Sequence, residues 1–283
     1  FEIATAVAIS NIDEAVKANA TGDSFIFLRL FTASDGTLPS FFVFISFLGP
    51  LLGLIMGFDA INAEENRGTL SRILSQPVHR DYVLNSKFAA AIIVLSVMMF
   101  SLGFLVTGTG LIAIGIPPTA DEFLRMVFFI LISILYISFW LNLSIFFSVK
   151  FRQPATSALA GIAVWLFLTV FYSILVSLIA KAAQPSANAS AGQIMAYQEF
   201  VMNLFRVLPG QLFSDATTTV LVPTVRTLGP LTVEKIYGTI PGSLPLGQSL
   251  LIVWPQLTGL VAATVICFVL SYITFMRREV RSR

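Results

Sequence analysis

Charge is scarce in this sequence of 283 residues, because Asp, Glu, Lys and Arg together make up only 11% of it. A soluble domain carries roughly a quarter of charged residues. Hydrophobic residues make up 56%, and the mean hydropathy is +0.87. A water-soluble fold of this length could not bury so much apolar surface. The composition therefore excludes a soluble globular protein and a disordered chain, and it indicates an integral membrane protein.

Cysteine and histidine are also nearly absent, with one of each, Cys267 and His79. One Cys, one His and scattered carboxylates predict no metal site and no nucleophile with its base. The sequence contains no Gly-x-x-x-x-Gly-Lys-Ser/Thr phosphate loop, so the chain is not expected to hydrolyse ATP by itself. A net charge of +2 is too small to indicate nucleic acid as a partner. We therefore predict no catalytic residue, metal or cofactor in this chain.

Long uncharged runs are the main positive feature of the sequence. A membrane-spanning helix needs about 20 consecutive, mostly apolar residues. The runs are continuous and lack the short alternation of β-barrel strands. They predict an all-α integral membrane protein, a polytopic helical bundle. Its visible helices are expected near residues 38–60, 88–114, 125–149, 154–180 and 250–276.

The distribution of Lys and Arg predicts the orientation of these helices. Ten of the 17 basic residues lie in loop 61–87, in the short loop 150–153 and in the tail from residue 277. The other seven are spread over much longer segments on the opposite side. Because cytoplasmic loops are enriched in Lys and Arg, we predict a multi-pass protein of the cell membrane with a cytoplasmic C-terminus.

The sequence begins at Phe1 with an apolar stretch that lacks the basic region of a secretory leader. We therefore expect one further helix before Phe1 and six spans in the intact protein. Residues 1–37 would then form an outer segment after the missing helix. Residues 38–181 would hold the helices and the cytoplasmic loop 61–87, and residues 250–283 the last helix with its basic tail.

Residues 182–249 are predicted to form a long outer loop between the last two visible spans. Pro209-Gly210 ends a run of apolar residues at helical spacing, which predicts an amphipathic helix on the outer membrane surface or against a partner. Residues 236–249 are expected to fold back into the protein before the last span. The apolar positions of the predicted helix are Ile194, Tyr197, Val201, Leu204, Phe205 and Leu208.

The most informative stretch joins the first two visible spans. Thr69 is predicted to cap a short helix by accepting a backbone N–H. Leu70, Ile73 and Leu74 share one apolar face of that helix, and Pro77 ends it. Such an element either sits in a groove of a soluble partner or is an ordinary basic loop on the membrane surface.

The order of residues in this stretch resembles the ABC-2 family of ATP-binding-cassette permeases, and within it the permeases of the nitrous-oxide-reductase maturation type. The family's loop has an acidic residue, then Glu, Gly-Thr-Leu, Leu-x-x-Pro-Val-x-Arg and Lys. The six-span plan with a long outer segment before the last helix is also similar. The matching residues are Asp59, Glu64 or Glu65, Gly68, Thr69, Leu70, Leu74, Pro77, Val78, Arg80 and Lys87.

This resemblance implies that loop 61–87 is a coupling element that inserts into a separate nucleotide-binding subunit. The implied partners are ATPase subunits, which hold ATP and Mg, together with a second permease copy and the membrane lipids. Leu70, Ile73 and Leu74 would supply the apolar contact with the ATPase. The charged residues of the contact would be Glu64, Glu65, Arg67, Arg72 and Arg80.

Small and polar residues inside the spans carry two further predictions. Gly49, Gly53 and Gly57 are spaced four apart, which favours close helix packing within the permease or across a dimer. Asn142 and Tyr136 lie inside a span, where a polar group must find a partner. Each is predicted either to make a structural hydrogen bond or to line a substrate path.

The predicted function is the permease subunit of an ABC-2 exporter. Two alternatives stay open. The chain could be a mechanical transducer that passes ATP-driven motion to an extracytoplasmic protein without moving a solute. It could also be an ion-coupled carrier, although no Asp, Glu, Lys or Arg lies well inside a predicted span, as such carriers usually require.

Overall fold

A computed structural model describes residues 25–33, 39–77, 79–115, 117–186, 189–226, 228 and 243–277. Every regular element in these ranges is helical, which confirms the predicted all-α fold. Five helices within these described ranges are long and apolar enough to cross a membrane. Most of the predicted outer segment 1–37, Val78 and residues 236–242 of the predicted return lie outside the described residues.

The structure describes eleven α-helices, which we number α1 to α11 in chain order. A π-helical turn, Phe167–Phe171, joins α7 (Pro154–Leu166) to α8 (Tyr172–Ala182), so that these two form one continuous helix long enough to span a membrane. The helices are α1 Ile26–Thr32, α2 Phe41–Gly57, α3 Asn62–Asn66, α4 Thr69–Leu74, α5 Arg80–Ile114, α6 Ala120–Lys150, α7 Pro154–Leu166, α8 Tyr172–Ala182, α9 Ala191–Phe205, α10 Pro209–Leu221 and α11 Leu246–Arg277.

The central helix of the bundle is α6, which packs against α2 on one side and α11 on another. Its apolar side chains are buried around most of its circumference, as expected for a helix enclosed by others. A capping box fixes its first turn. The Thr119 hydroxyl accepts the N–H of Glu122, and the Glu122 carboxylate accepts the N–H of Thr119 at 2.8 Å.

Gly49, Gly53 and Gly57 form the face of α2 that touches α6. A Cβ atom added at Gly53 would lie 2.7 Å from the carbonyl oxygen of Ile137 and 2.9 Å from the amide nitrogen of Leu141. A side chain at this position would therefore push the two backbones apart. The close approach is made inside one chain, and it holds the end of α2 against α6.

Two buried charged side chains of α6 hold together the end of the bundle at which α6 begins. Glu122 Oε1 accepts the N–H of Phe27, in the first turn of α1, at 3.0 Å. Arg125 is completely buried, and its guanidinium donates to the carbonyls of Val220 and Leu244. These bonds tie α1, the end of α10 and the start of α11 to the central helix.

Helix α9 packs against α8 of its own chain, and its predicted position on the outer membrane surface or against a partner stays a prediction. The hydroxyl of Tyr197 donates to the Ala180 carbonyl, and that of Tyr172 donates to the Leu204 carbonyl, both at 2.9 Å. The second acceptor lies in the last turn of α9, where carbonyls have no partner within the helix. These two hydrogen bonds hold α9 alongside α8, so that the two helices form a helical hairpin.

Helix α10 was not predicted from the sequence. Pro209 ends the preceding pattern as expected, but it also stands in the first turn of a new helix, where its missing N–H costs nothing. Phe213, Ala216 and Val220 bury one face of α10 against α6 and α11. The hydroxyl of Thr217 donates back to the Phe213 carbonyl at 2.7 Å, so this polar residue can also be buried.

Candidate functional site

The loop between α2 and α5 forms two short helices, α3 and α4, with a tight corner between them. Gly68 stands at the corner with a φ of 70°, a left-handed conformation that strains any residue with a side chain. Helix α4 begins at the next residue, Thr69, and ends at Leu74. Pro77 follows shortly, and its ring and missing N–H prevent the helix from continuing.

Thr69 does not cap α4, contrary to the prediction. Gly68 holds the N-cap position and has no side chain that could accept a hydrogen bond. The Thr69 hydroxyl instead donates to the Glu64 carbonyl at 3.1 Å, and the Ser71 hydroxyl donates to the Gly68 carbonyl at 2.8 Å. The hydroxyls of this motif therefore close the corner between α3 and α4.

The apolar face of α4 points into the chain's own bundle. Leu70 is only 2% exposed and belongs to a cluster with Ile61, Leu84 and Phe275, while Ile73 and Leu74 are half-buried against it. Because this burial is complete without a partner, it favours a role for Leu70 in holding α4 on the bundle. Contact of Leu70 with an ATPase, which the resemblance implied, stays a prediction.

Backbone hydrogen bonds fasten the same loop to the end of α6. The amides of Ile61 and Asn62 both donate to the hydroxyl oxygen of Ser148, at 2.9 and 3.2 Å. The side-chain amide of Asn66 donates to the carbonyl of Arg152, just after α6, at 2.9 Å. The loop and the turn 150–153 thus lie at the same end of the bundle, as the distribution of basic residues predicted.

Glu64 and Lys87 form an ion pair that joins α3 to α5, and each side chain is 27% exposed. Both residues belong to the motif quoted above, and the structure brings them together within one chain. Lys87 lies two turns inside α5, which begins at Arg80 and not near residue 88 as predicted. The negative charge of Glu64 is therefore already partnered inside the protein.

The face of the loop that points away from the bundle is polar and basic. Arg72 and Leu70 lie on different sides of α4, and Arg72 is exposed. Glu65 and Arg80 are half-buried and already engaged in interactions within the chain. We call the exposed set the outer face of the loop: Asp59, Asn66, Arg67, Gly68, Thr69, Arg72, Ser75, Gln76, Pro77 and His79.

Tyr136, a candidate for a substrate path, makes a hydrogen bond that α2 itself lacks. Its hydroxyl donates to the Ser46 carbonyl at 2.9 Å. Pro50, four residues after Ser46, has no N–H with which to bond that carbonyl. The ring of Tyr136 also stacks on Phe213, with centroids 4.4 Å apart. These contacts favour the structural alternative for Tyr136.

Asn142, the second candidate, joins α6 to α11. Its side-chain amide approaches the Thr264 carbonyl at 3.5 Å, and its backbone carbonyl accepts the hydroxyl of Ser271 at 3.3 Å. These contacts again favour a structural role, and contact with a substrate stays a prediction for both residues. Among the residues that the structure describes, no three His, Cys, Asp or Glu side chains could hold a metal ion together.

The structural role of the two buried charged residues Glu122 and Arg125 was not predicted from the sequence. Two signals could have found it. Thr119-x-x-Glu122 is a capping-box pattern, and Asp121 and Arg125 are spaced for an ion pair on one helix face. The structure has both, with Arg125 Nε 2.6 Å from Asp121 Oδ2.

Comparison with known proteins agrees with this architecture. A family model described as "ABC-2 family transporter protein" matches residues 2–280. The chain belongs to the ABC-2 family. It is 30% identical over 155 residues to a "Probable ABC transporter permease protein NosY" of Stutzerimonas stutzeri, covering 53% of this chain and 54% of the relative. It is 27% identical over 146 residues to the protein of the same name from Pseudomonas aeruginosa, covering 51% and 52%.

Membership of the ABC-2 family confirms the resemblance that the Gly-Thr-Leu and Leu-x-x-Pro-Val-x-Arg motifs carried. The five apolar helices and this family identify a multi-pass membrane protein. The chain spans about half the length of the curated relatives that it matches. Within this ABC-2 protein, the loop between α2 and α5 combines a buried anchoring face with an exposed outer face.

Proposed function

We propose that this chain is the permease subunit of an ABC-2 exporter, and that a separate ATPase subunit docks on the outer face of the loop between α2 and α5. The supporting observation is the two-sided construction of that loop. Leu70 and Ser148 hold one side rigidly on the bundle, while Arg67 and Arg72 stand exposed on the other. An exposed basic rim suits recognition by a partner of opposite charge, since such charges mainly set specificity and association rate.

The attachments of the loop suggest how motion reaches the membrane helices. Helix α3 follows α2 almost directly, Glu64 pairs with Lys87 of α5, and Ser148 binds the loop to α6. A displacement of α4 by the ATPase would therefore move three membrane helices together. ATP and Mg belong to the ATPase subunit in this proposal, and their binding and release supply the differential contacts that drive the change.

The remaining partners follow from the same proposal. A closing pair of ATPase subunits needs two permease copies on which to act, so we propose a second copy of this chain. The loop, the turn 150–153 and the end of α11 then face the cytoplasm. The opposite side carries α9, none of whose residues is fully buried, and this helix is the candidate contact for an extracytoplasmic protein.

Reversing the charge of Arg72 is expected to release the ATPase while the permease stays folded, because this side chain is exposed on α4 and contributes nothing to the buried face. We expect ATP hydrolysis recovered with the affinity-purified Arg72→Glu variant to fall at least about tenfold, as for loss of a charge pair at a docking interface. The measurement is ATPase activity per mole of purified chain, from membranes in which the native ATPase subunit is also present.

Lys181→Glu is the matched control, because Lys181 is an exposed basic residue at the far end of α8. This variant should retain the activity of the wild type. Equal recovery of ATPase with Arg72→Glu and with wild type would contradict docking at Arg72. If the wild type itself carried no ATPase, the proposed function would be wrong.

A further inference from the structure

A cavity of about 560 Å³ lies beside α11, at the end of the bundle opposite the loop between α2 and α5. This volume is within the usual range for small-molecule sites. It lies among α10, α11 and the residues next to the end of α9. Its described lining consists of Asn203, Arg206, Leu212, Leu228, Ile252, Pro255, Gln256 and Gly259.

Gln256 lines this cavity, and one of its hydrogen-bonding atoms has no partner in the chain. The residue is only 6% exposed, and its side-chain Oε1 is buried without a hydrogen-bond partner in the chain. A buried acceptor that stays unpaired costs about 1–3 kcal/mol. A bound molecule that donates a hydrogen bond to Gln256 would remove that cost.

Arg206 lines the same cavity, and its guanidinium, which forms an ion pair with Asp215, is fixed in place. Its Nε contacts Asp215 Oδ2 at 3.4 Å, and one terminal nitrogen donates to the Leu228 carbonyl. Asp215 in turn accepts the side-chain amide of Gln211 at 2.6 Å. A guanidinium has five N–H donors, so these two contacts leave donors of Arg206 available to an anion.

The depth of the cavity matches the boundary between headgroups and hydrocarbon. Helix α11 has 32 residues and is therefore about 48 Å long, against a hydrocarbon core of about 30 Å. A helix centred on the bilayer therefore extends about 9 Å beyond the core on each side. Gln256 lies about 15 Å from the start of α11, which places it about 6 Å inside the core of such a bilayer. Trp254, 63% exposed on the same turn, is the residue type enriched at that boundary.

We propose that this cavity binds the headgroup of a glycerophospholipid, whose phosphate accepts hydrogen bonds from Arg206 and whose headgroup hydroxyl donates to Gln256 Oε1. The apolar lining, including Leu212 and Ile252, contacts the glycerol backbone and the upper part of the acyl chains. Phosphatidylglycerol has both required groups. Phosphatidylcholine has the phosphate but no hydrogen-bond donor, so the two lipids separate the roles of the two residues.

The test is native mass spectrometry of the purified full chain, titrated with phosphatidylglycerol or phosphatidylcholine of identical acyl chains. The wild type is expected to bind phosphatidylglycerol about fivefold more tightly, as for one additional buried hydrogen bond. Gln256→Leu should reduce that preference to about one. Gln248→Leu, the same change at an exposed position of α11, should keep it. Arg206→Gln should weaken both lipids about tenfold, as for a lost charge-assisted contact.

Three outcomes would overturn the lipid site. These are equal binding of the two lipids by the wild type, a preference that survives in Gln256→Leu, and displacement of phosphatidylglycerol by millimolar inorganic phosphate, which would indicate a site for a free anion. Arg206 also supports the fold through Asp215 and Leu228. If Arg206→Gln does not fold, the comparison of lipids on the wild type and on Gln256→Leu still decides.

Discussion

Replacing Gly53 by leucine is expected to prevent the folded protein from accumulating in the membrane. Even the first carbon of a side chain would lie 2.7 Å from the Ile137 carbonyl oxygen and 2.9 Å from both Leu141 N and Trp140 Cβ. Two of these three atoms are backbone, which cannot yield by a change of rotamer. Helices α2 and α6 would have to separate along their main contact, so Gly53→Leu should give aggregated or degraded protein.

The smaller change Gly53→Ala makes the prediction quantitative. We expect it to lower the free energy of unfolding by about 3 kcal/mol, the upper part of the range for overpacking a close contact. Gly108→Ala is the control, because Gly108 lies in membrane helix α5 and a Cβ there would meet no atom within 4 Å. Gly108→Ala should be neutral or slightly stabilising, since alanine favours helix by about 1 kcal/mol over glycine. Equal melting temperatures for the two variants would contradict the described packing.

Replacing Arg125 by leucine is expected to loosen the end of the bundle at which α6 begins. The guanidinium is completely buried and bonds Asp121, the Val220 carbonyl, the Ser249 hydroxyl and the Leu244 carbonyl. Leucine would leave these groups without their donor. Because Asp121 is partly exposed and can turn to water, we base the expected loss on the remaining bonds, at about 3 kcal/mol.

The chemistry of the guanidinium decides what can rescue this position. Arg125→Lys keeps the positive charge. A lysine ammonium lacks the planar fork of N–H donors with which the guanidinium bonds several groups at once. We therefore expect Arg125→Lys to recover only part of the loss. Lys181→Leu, which removes an exposed charge, should leave the melting temperature of the detergent-purified protein unchanged. A wild-type melting temperature for Arg125→Leu would contradict the assigned role.

The five membrane helices could be predicted from the sequence because each is a long uncharged run, and only a helix of about 20 residues satisfies its backbone in lipid. The start of α5 was misplaced because Arg80, Asp81 and Lys87 interrupt the apolar pattern. These residues belong to a charged extension of the helix, so hydropathy alone could not include them.

The candidate site was located by its motif, but the motif does not show what the apolar face of α4 packs against. Leu70, Ile73 and Leu74 form an apolar face whether they meet a partner or the chain's own α6 and α11. Only the tertiary packing distinguishes the two. The same reason explains why α10 was missed, since Thr217 and Thr219 are buried by hydrogen bonds to their own helix and hide its amphipathic pattern.

The predicted alternatives differ in what the bundle does after the ATPase has moved the loop. A mechanical transducer and an exporter share the docking step at Arg72, whereas an ion-coupled carrier has no use for it. Both alternatives stay predictions. Transport by sealed vesicles that contain the intact complex separates the exporter from the transducer, and binding of an ATPase separates both from the carrier.

The central claim, that an ATPase subunit docks on the outer face of the coupling loop, is tested most directly by photo-crosslinking in intact membranes. A benzophenone amino acid is introduced at Gln76, just after α4, or at Gln184, just after α8 at the opposite end of the bundle. Both glutamines are exposed, so the two positions differ in location and not in accessibility. The account predicts a crosslink to the ATP-binding subunit from residue 76 and none from residue 184. No crosslink from residue 76, or a crosslink from residue 184 alone, would contradict it.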